Sequence, residues 1–110
     1  MQLSVVTTSF NSANYIEKFL ENITNNIKEA NFTNYEIIIV DDGSSDNTLE
    51  KLNNIKKKNN QITITQLSKN YGHHKALITG LNQASGELVF VIDSDLEEDP
   101  SNLIVFLKDI

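Results

Sequence analysis

Cysteine is absent from this 110-residue chain, so neither a disulfide framework nor a thiolate metal site can form. Positive charge is scarce as well: nine Lys and Arg stand against fifteen Asp and Glu, for a formal net charge of -6. That balance argues against nucleic-acid binding, which needs a basic face to neutralise phosphates. The one basic run, Lys56-Lys57-Lys58, falls at the end of a predicted helix, where cations complement the helix dipole. Neither a Gly-x-x-x-x-Gly-Lys loop nor a Gly-x-Gly-x-x-Gly turn occurs, which sets ATPase and nicotinamide chemistry aside. The longest apolar runs have the length of a strand, far short of the roughly 18 residues that cross a membrane. Met1-Gln2-Leu3 leads straight into a strand pattern with no signal-peptide character, and a cytoplasmic location is expected.

What the chain does have is an alternation of strands and helices. Leu3 to Thr8 reads as a first strand, and Asn11 or Ser12 is placed to cap a helix with Ile16, Phe19, Leu20, Ile23 and Ile27 on its inner face. Residues 36–41 form a second strand, whose unbroken Ile37-Ile38-Ile39-Val40 run suits burial on both faces. Ser44 or Ser45 is the expected cap of the next helix, with Leu49, Leu52 and Ile55 facing inward. The alternating Ile62-Thr63-Ile64-Thr65 predicts an edge strand over 62–67. A third helix runs through Leu77, Ile78, Leu81 and Ala84, with Gly86 as its C-terminal stop. A fourth strand covers 87–92, and Asp99-Pro100 opens a further helix. This pattern predicts an α/β domain with a mostly parallel, doubly wound sheet in the order 3-2-1-4. Ligands in such sheets bind beyond the carboxyl ends of the strands. The chain also stops inside a helical pattern at Lys108-Asp109-Ile110, which suggests truncation at the C-terminal end.

Both acidic clusters fall at those strand ends. Leu88-Val89-Phe90-Val91-Ile92 runs directly into Asp93-Ser94-Asp95, with Glu97 two residues on. Like charges about 4 Å apart repel by roughly 4 kcal/mol at an effective dielectric of 20, a penalty that a bound cation removes. Hard divalent ions bind through one or two carboxylates and take their remaining ligands from water and phosphate. Asp93, Asp95 and Glu97 are therefore candidate ligands for Mg2+ or Mn2+, and Asp99 fits better as a helix cap. An EF-hand does not fit, since Glu98 and Ile104 stand where Gly and Glu are required. The other cluster is Asp41-Asp42-Gly43-Ser44-Ser45-Asp46. A plain strand-to-helix turn accounts for Gly43, Ser44 and Asp46 but leaves two adjacent acids unexplained, so Asp42 is assigned as an acceptor for a nucleoside base or ribose. Lys69, His73 and Lys75 follow the third strand and could approach a diphosphate. His74 fits a capping or exposed role.

These residues resemble the nucleotide-binding half of inverting family 2 glycosyltransferases with the GT-A fold, a Rossmann-like three-layer sandwich. Residues 5–11, Val-Val-Thr-Thr-Ser-Phe-Asn, resemble the family's first strand and base-binding turn. Residues 40–46 match its second motif, and Asp93-Ser94-Asp95 its Asp-x-Asp metal motif. Residues 68–76 and 93–97 are most similar to the dolichol- and polyprenyl-phosphate sugar transferase branch. There Glu97 replaces a usual Gln, and Thr8 stands where many members have Pro. The resemblance implies transfer of a sugar from a UDP- or GDP-sugar, with Mg2+ or Mn2+ on the diphosphate, to a lipid phosphate or a growing glycan. It implies donor contacts from Thr8, Phe10, Asn11, Asp41, Asp42, Lys69 and Asp93. It places the catalytic base beyond Ile110, so that 1–110 alone is inactive, and any membrane association in missing C-terminal segments. Two other readings stay open: a non-catalytic nucleotide-sugar-binding module, and a receiver-type phosphoacceptor domain.

Overall fold

The computed structural model describes residues 2–92. Its elements alternate without a break: β1 (Leu3–Ser9), α1 (Ile16–Glu29), β2 (Tyr35–Asp41), α2 (Thr48–Lys58), β3 (Ile62–Gln66), α3 (His73–Gln83) and β4 (Leu88–Val91). The four strands form one sheet in the order β3-β2-β1-β4, and every pairing is parallel. This is the order that the hydrophobic pattern predicts, and β3 lies at an edge. The metal candidates Asp93, Asp95 and Glu97 and the helix expected after Asp99 lie outside the described residues.

Strand alternation divides the core into two layers. Leu3, Val5, Ile37, Ile39 and Ile62 face α1 and α2, and pack with Ile16, Phe19, Leu20, Ile23, Ile27 and Leu52. All five residues assigned to the inner face of α1 are buried. At about 1.5–3 kcal/mol for each large apolar side chain withdrawn from water, this layer dominates the stability of the fold. The opposite layer is thinner: Val6, Ile38 and Val40 pack against Ala76 of α3. Here α3 presses close to the sheet, because a Cβ on Gly80 would lie 2.6 Å from Val6 Cγ1. Among the described residues no helix is long and apolar enough to cross a membrane.

Three details add to or correct the sequence reading. The inner face of α3 is Ala76 and Gly80, whereas Ile78 and Leu81 are exposed. Close approach to the sheet selects small residues at these two positions, Leu77 and Ala84 pack at the margin of the layer, and Ile78 and Leu81 turn outward. Gly86 is not the cap of α3, which ends at Gln83. It lies against β1, where a Cβ would meet the Ser4 backbone nitrogen at 2.8 Å. Finally, neither Asn11 nor Ser12 caps α1, and neither Ser44 nor Ser45 caps α2. The helices begin at Ile16 and Thr48, and their cap residues Tyr15 and Asn47 make no side-chain cap bond. Asn11, Ser44 and Ser45 instead join the two turns to each other, and Ser12 Oγ bonds within its own turn to the Phe10 backbone.

At the amino end of the sheet a carboxylate ties three segments together. Glu36 Oε2 accepts hydrogen bonds from Ser4 Oγ (2.6 Å), Ser85 N–H (2.8 Å) and Ser85 Oγ (2.9 Å). Ser4 Oγ in turn accepts from the Gly86 N–H at 2.8 Å. Burial alone would push the Glu36 carboxyl up, but the hydrogen bonds from Ser4 and Ser85 outweigh it and hold the group below its ordinary value. A depressed carboxylate stabilises the fold above its unfolded pKa, and that contribution is lost as pH falls through the lower, folded value. Glu36→Gln should therefore lower the melting temperature at pH 7. Its deficit against the unsubstituted chain should shrink as pH is taken from about 5 down to about 3. Thermal melts across that range test this, and a deficit that does not change with pH would contradict it.

Candidate nucleotide site at the sheet rim

The parallel register sets the ends of β1 and β2 side by side, pairing Thr8 with Val40 and Ser9 with Asp41. Asp41 is fully buried. Its Oδ1 accepts from Ser9 Oγ at 2.8 Å and from Ser44 Oγ at 2.6 Å, and its Oδ2 accepts from the Ser44 N–H at 3.0 Å. A carboxylate buried this completely needs several donors to offset its lost hydration. The Asp41 side chain is thus held by the turn beneath the rim.

Asn11 carries the connection to the neighbouring turn. Its backbone is left-handed (φ 49°), a conformation that Asn tolerates better than most residues. The Asn11 N–H donates to Ser44 Oγ at 2.8 Å, and Oδ1 accepts from the N–H groups of Ser45 (2.8 Å) and Asp46 (3.4 Å). Ser12 and Ala13 continue the seam: the Ser12 N–H donates to Thr48 Oγ1 at 2.8 Å and the Ala13 N–H to Asp46 Oδ2 at 3.3 Å. Asp46 also accepts from the Thr48 hydroxyl and, at 3.0 Å, from the Thr48 N–H. Burial pushes this carboxyl up, while the bonds from Thr48 and Ala13 outweigh it and hold its pKa below the ordinary value. Lys51 Nζ donates to the Ala13 carbonyl at 2.7 Å. The two turns behave as one scaffold.

The loop after β3 closes the third side. The Leu67 N–H donates to the Asp41 carbonyl at 2.9 Å. Gly43 has φ 74°, and a Cβ there would lie 2.4 Å from the Lys69 carbonyl carbon, so any other residue would be strained and would also push the loop away. Asp42, 4% exposed, receives the loop: Oδ1 accepts from the Tyr71 N–H at 2.8 Å and Oδ2 from the Gly72 N–H at 3.1 Å. Thr8 Oγ1 and His73 Nδ1 lie 3.1 Å apart, which links β1 to the start of α3. Phe10 remains 45% exposed. Lys69 Nζ sits 5.1 Å from the centre of the Tyr71 ring.

The residues expected to bind nucleotide thus fall into two groups. Thr8, Phe10, Asn11, Asp42 and Lys69 all lie at the carboxyl edge of the sheet, while Asp41 is buried beneath them. Sequence reasoning missed the partners that fix them: Ser9 and Ser44 for Asp41, the 71–72 backbone for Asp42, and His73 for Thr8. An Asn directly after a strand, followed by Ser and opposite a Ser-Ser-Asp turn, is the signal for the seam, because these are the side chains that bond to neighbouring backbone. Among the described residues no three acidic or histidine side chains are grouped closely enough to hold a metal. The candidate metal set Asp93, Asp95 and Glu97 supplies oxygen ligands only, and that donor set fits Mg2+ or Mn2+. A cleft of about 460 Å³ lies between α1 and α2, and none of the expected nucleotide residues lines it.

Comparison with known proteins agrees with this geometry. Residues 4–110 match the profile of Glycosyl transferase family 2. A protein of Mycobacterium tuberculosis (strain CDC 1551 / Oshkosh) named as a glycosyltransferase is 44% identical over 108 residues, 98% of this chain and 31% of its own length. The undecaprenyl-phosphate 4-deoxy-4-formamido-L-arabinose transferase of Proteus mirabilis (strain HI4320) is 38% identical over 105 residues, 93% of this chain and 31% of its length. Among solved structures, the mannosyltransferase PcManGT from Pyrobaculum calidifontis, in complex with GDP-Man and Mn2+, superposes with a TM-score of 0.77 at 27% identity. That match covers 93% of this chain and 30% of the mannosyltransferase. The chain thus spans about a third of the relatives it matches.

Because Asp41 is a buried hub, Asp41→Ala should leave Ser9 and Ser44 without their acceptor and destabilise the chain by about 3 kcal/mol or more. Asp42→Ala, with both of its partners in one loop, should cost less stability and chiefly free residues 70–72. Chemical denaturation of the two variants checks the ranking, and equal losses would contradict it.

Proposed function

The chain belongs to glycosyl transferase family 2, and from that premise we propose that it forms the nucleotide-sugar-binding part of a metal-dependent, inverting transferase. The donor is a UDP- or GDP-sugar, and the acceptor a polyprenyl phosphate or a growing glycan. The observation that carries this reading is the rim itself. Thr8, Phe10, Asn11 and Asp42 stand together at the carboxyl edge of a parallel sheet, where such folds bind nucleotides. The GDP-Man and Mn2+ named for the Pyrobaculum mannosyltransferase support the donor class, and the undecaprenyl phosphate named for the Proteus transferase supports the acceptor class.

In this reading Phe10 packs against the nucleoside base, and Asp42 accepts from the base or ribose while fixing residues 71–72. Asn11 holds the turn to which both belong. Asp93, Asp95 and Glu97 would hold Mg2+ or Mn2+, which supplies Lewis-acid stabilisation of the leaving diphosphate. The acceptor oxygen bonds to the anomeric carbon as the bond from that carbon to the diphosphate oxygen breaks on the opposite face, which inverts the centre. An acceptor phosphate is already anionic and needs little activation. Any general base is expected beyond Ile110, and residues 1–110 alone are expected to transfer nothing. The same reading takes the reaction to be cytoplasmic and leaves any membrane attachment to segments outside residues 1–110.

Calorimetric titration of UDP and GDP, with and without Mn2+, tests the proposal. One of the two should bind more tightly with Mn2+, and by reciprocity the nucleotide should raise the affinity for Mn2+ by the same factor. Asp95→Asn should abolish that coupling and leave the circular dichroism spectrum unchanged. Nucleotide affinities that are equal with and without Mn2+ would remove the metal from the reading, and no binding of either nucleotide would remove the donor.

A further inference from the structure

The sheet edge at β3 lacks the devices that usually protect such an edge. Among the described residues β3 has one neighbour, β2, which it meets in parallel. Two bonds fix the phase of that ladder. The Ile37 N–H donates to the Gln61 carbonyl at 2.9 Å, and the Leu67 N–H to the Asp41 carbonyl at 2.9 Å. In a parallel pair, alternate residues turn their backbone groups toward the neighbour. Gln61, Thr63, Thr65 and Leu67 therefore face β2, while Ile62, Ile64 and Gln66 direct their N–H and C=O groups outward. One of these groups is used, since the Ile62 N–H donates to the Asn59 carbonyl at 3.4 Å. Natural edges are blunted by Lys, by Pro or by a bulge. Here the register with β2 runs one to one without a bulge. Residues 61–68, Gln-Ile-Thr-Ile-Thr-Gln-Leu-Ser, contain neither Pro nor a charge, although 22% of the chain is charged.

We propose that β3 pairs with β3 of a second copy of this chain, antiparallel and centred on Ile64, so that the two sheets become one. Centring on Ile64 pairs the whole strand: Ile64 stands opposite Ile64, Ile62 opposite Gln66, and Thr63 opposite Thr65. The Ile64 N–H of each copy then donates to the Ile64 carbonyl of the other, and each Gln66 N–H to the Ile62 carbonyl of the other. A foreign strand would meet the same outward groups, but their symmetric placement about Ile64 is a feature that only self-pairing uses. The side chains agree with it. Ile64 packs at the margin of the α1–α2 layer, and Thr63, on the opposite face, is exposed. Ile64–Ile64 and Thr63–Thr65 are β-branched cross-strand pairs of the kind that stabilise antiparallel strands. The two-fold axis stands perpendicular to the sheet, so the carboxyl rims of the two copies point in opposite directions. Neither rim enters the contact, and the candidate nucleotide site stays open. A five-residue strand is about 17 Å long, and so short a contact makes a weak, reversible dimer.

Sedimentation velocity of the 110-residue chain over a range of concentrations, combined with amide hydrogen exchange, tests the proposal. A monomer–dimer equilibrium is expected, with half-association at roughly 0.1 mM. Exchange at Ile64 and Gln66 should slow as concentration rises. Thr63 and Thr65, whose N–H groups already bond to β2, should not respond. Two double variants then test the register. Thr63→Lys with Thr65→Lys sets lysine opposite lysine across the two-fold, and should weaken the dimer by about tenfold. Thr63→Lys with Thr65→Glu sets lysine opposite glutamate, and should hold the dimer at least as tightly as the unsubstituted chain. A parallel pairing would reverse that second result, because it sets each position opposite itself. An unsubstituted chain that stays monomeric to about 1 mM would leave this edge to another partner or to solvent, and would overturn the proposal. So would a dimer in which exchange at Ile64 and Gln66 does not depend on concentration, a measurement that needs no variant to fold. A dimer that the two variants weaken equally, or leave equally intact, would place the contact elsewhere and overturn it as well.

Discussion

A buried carboxylate organises the working edge of this molecule. Asp41 closes β2 directly beside Ser9 at the end of β1, and with no contact with water its charge must be met by protein donors. Ser9 and Ser44 supply them, which fixes where the chain turns after β2. Ser44 then receives the Asn11 N–H, so the turn after β1 is placed by the same group. The Asp41 backbone carbonyl takes the Leu67 N–H and so also fixes the exit of β3. Three strand ends are thus tied to one residue, and the rim can keep its shape before any ligand arrives.

Adjacent acids are useful here because they divide the work. Asp41 is the last residue of β2 and Asp42 the first beyond it, and their carboxylates take different partners. Asp41 faces the turn beneath the rim, and Asp42 faces the loop that carries Tyr71 and Gly72. Gly43 follows because that loop passes where a side chain would be. The motif therefore has a structural grammar that holds apart from any ligand: a hub, a loop anchor and a residue without a Cβ. In the proposed function this grammar has a use, since a nucleotide bound at the rim of a parallel sheet needs rigid turns at neighbouring strand ends.

Much of this was legible in the sequence, and the reasons are physical. The strand order followed from the contrast between the solid run at Ile37-Ile38-Ile39-Val40 and the alternation at Ile62 to Thr65, because burial on two faces and on one leave different patterns. The inner face of α1 was legible from its three- and four-residue spacing. The inner face of α3 was not. Periodicity counts large apolar residues, and here the close approach of Gly80 to Val6 selected small ones. Cap assignments at Ser12, Ser44 and Ser45 failed for a related reason: local propensity names residues that bond to nearby backbone, but not which backbone. Partners 33 to 36 residues away, such as Ser44 for Asn11 and Thr48 for Ser12, exist only once the strands are paired. The role of Asp41 was hidden for the same reason, since an acid pair read along the chain does not say which member is buried.

The central claim is that this rim is built in advance of its ligand, by hydrogen bonds from loop backbone to two carboxylates. Native-state amide hydrogen exchange on the ligand-free chain tests it most directly. The N–H groups of Ser44, Tyr71 and Gly72 lie outside every helix and strand, and they donate to Asp41 and Asp42, the Gly72 N–H being shared with Asn70 Oδ1. They should exchange slowly, with protection approaching that of β1 and β2, and in Asp42→Ala the protection at Tyr71 should vanish while that at Gly72, which also donates to Asn70 Oδ1 at 3.0 Å, should fall. Fast exchange of these amides in the unsubstituted chain, at the rate of an open loop, would contradict the account and mean that the rim forms only when a ligand orders it.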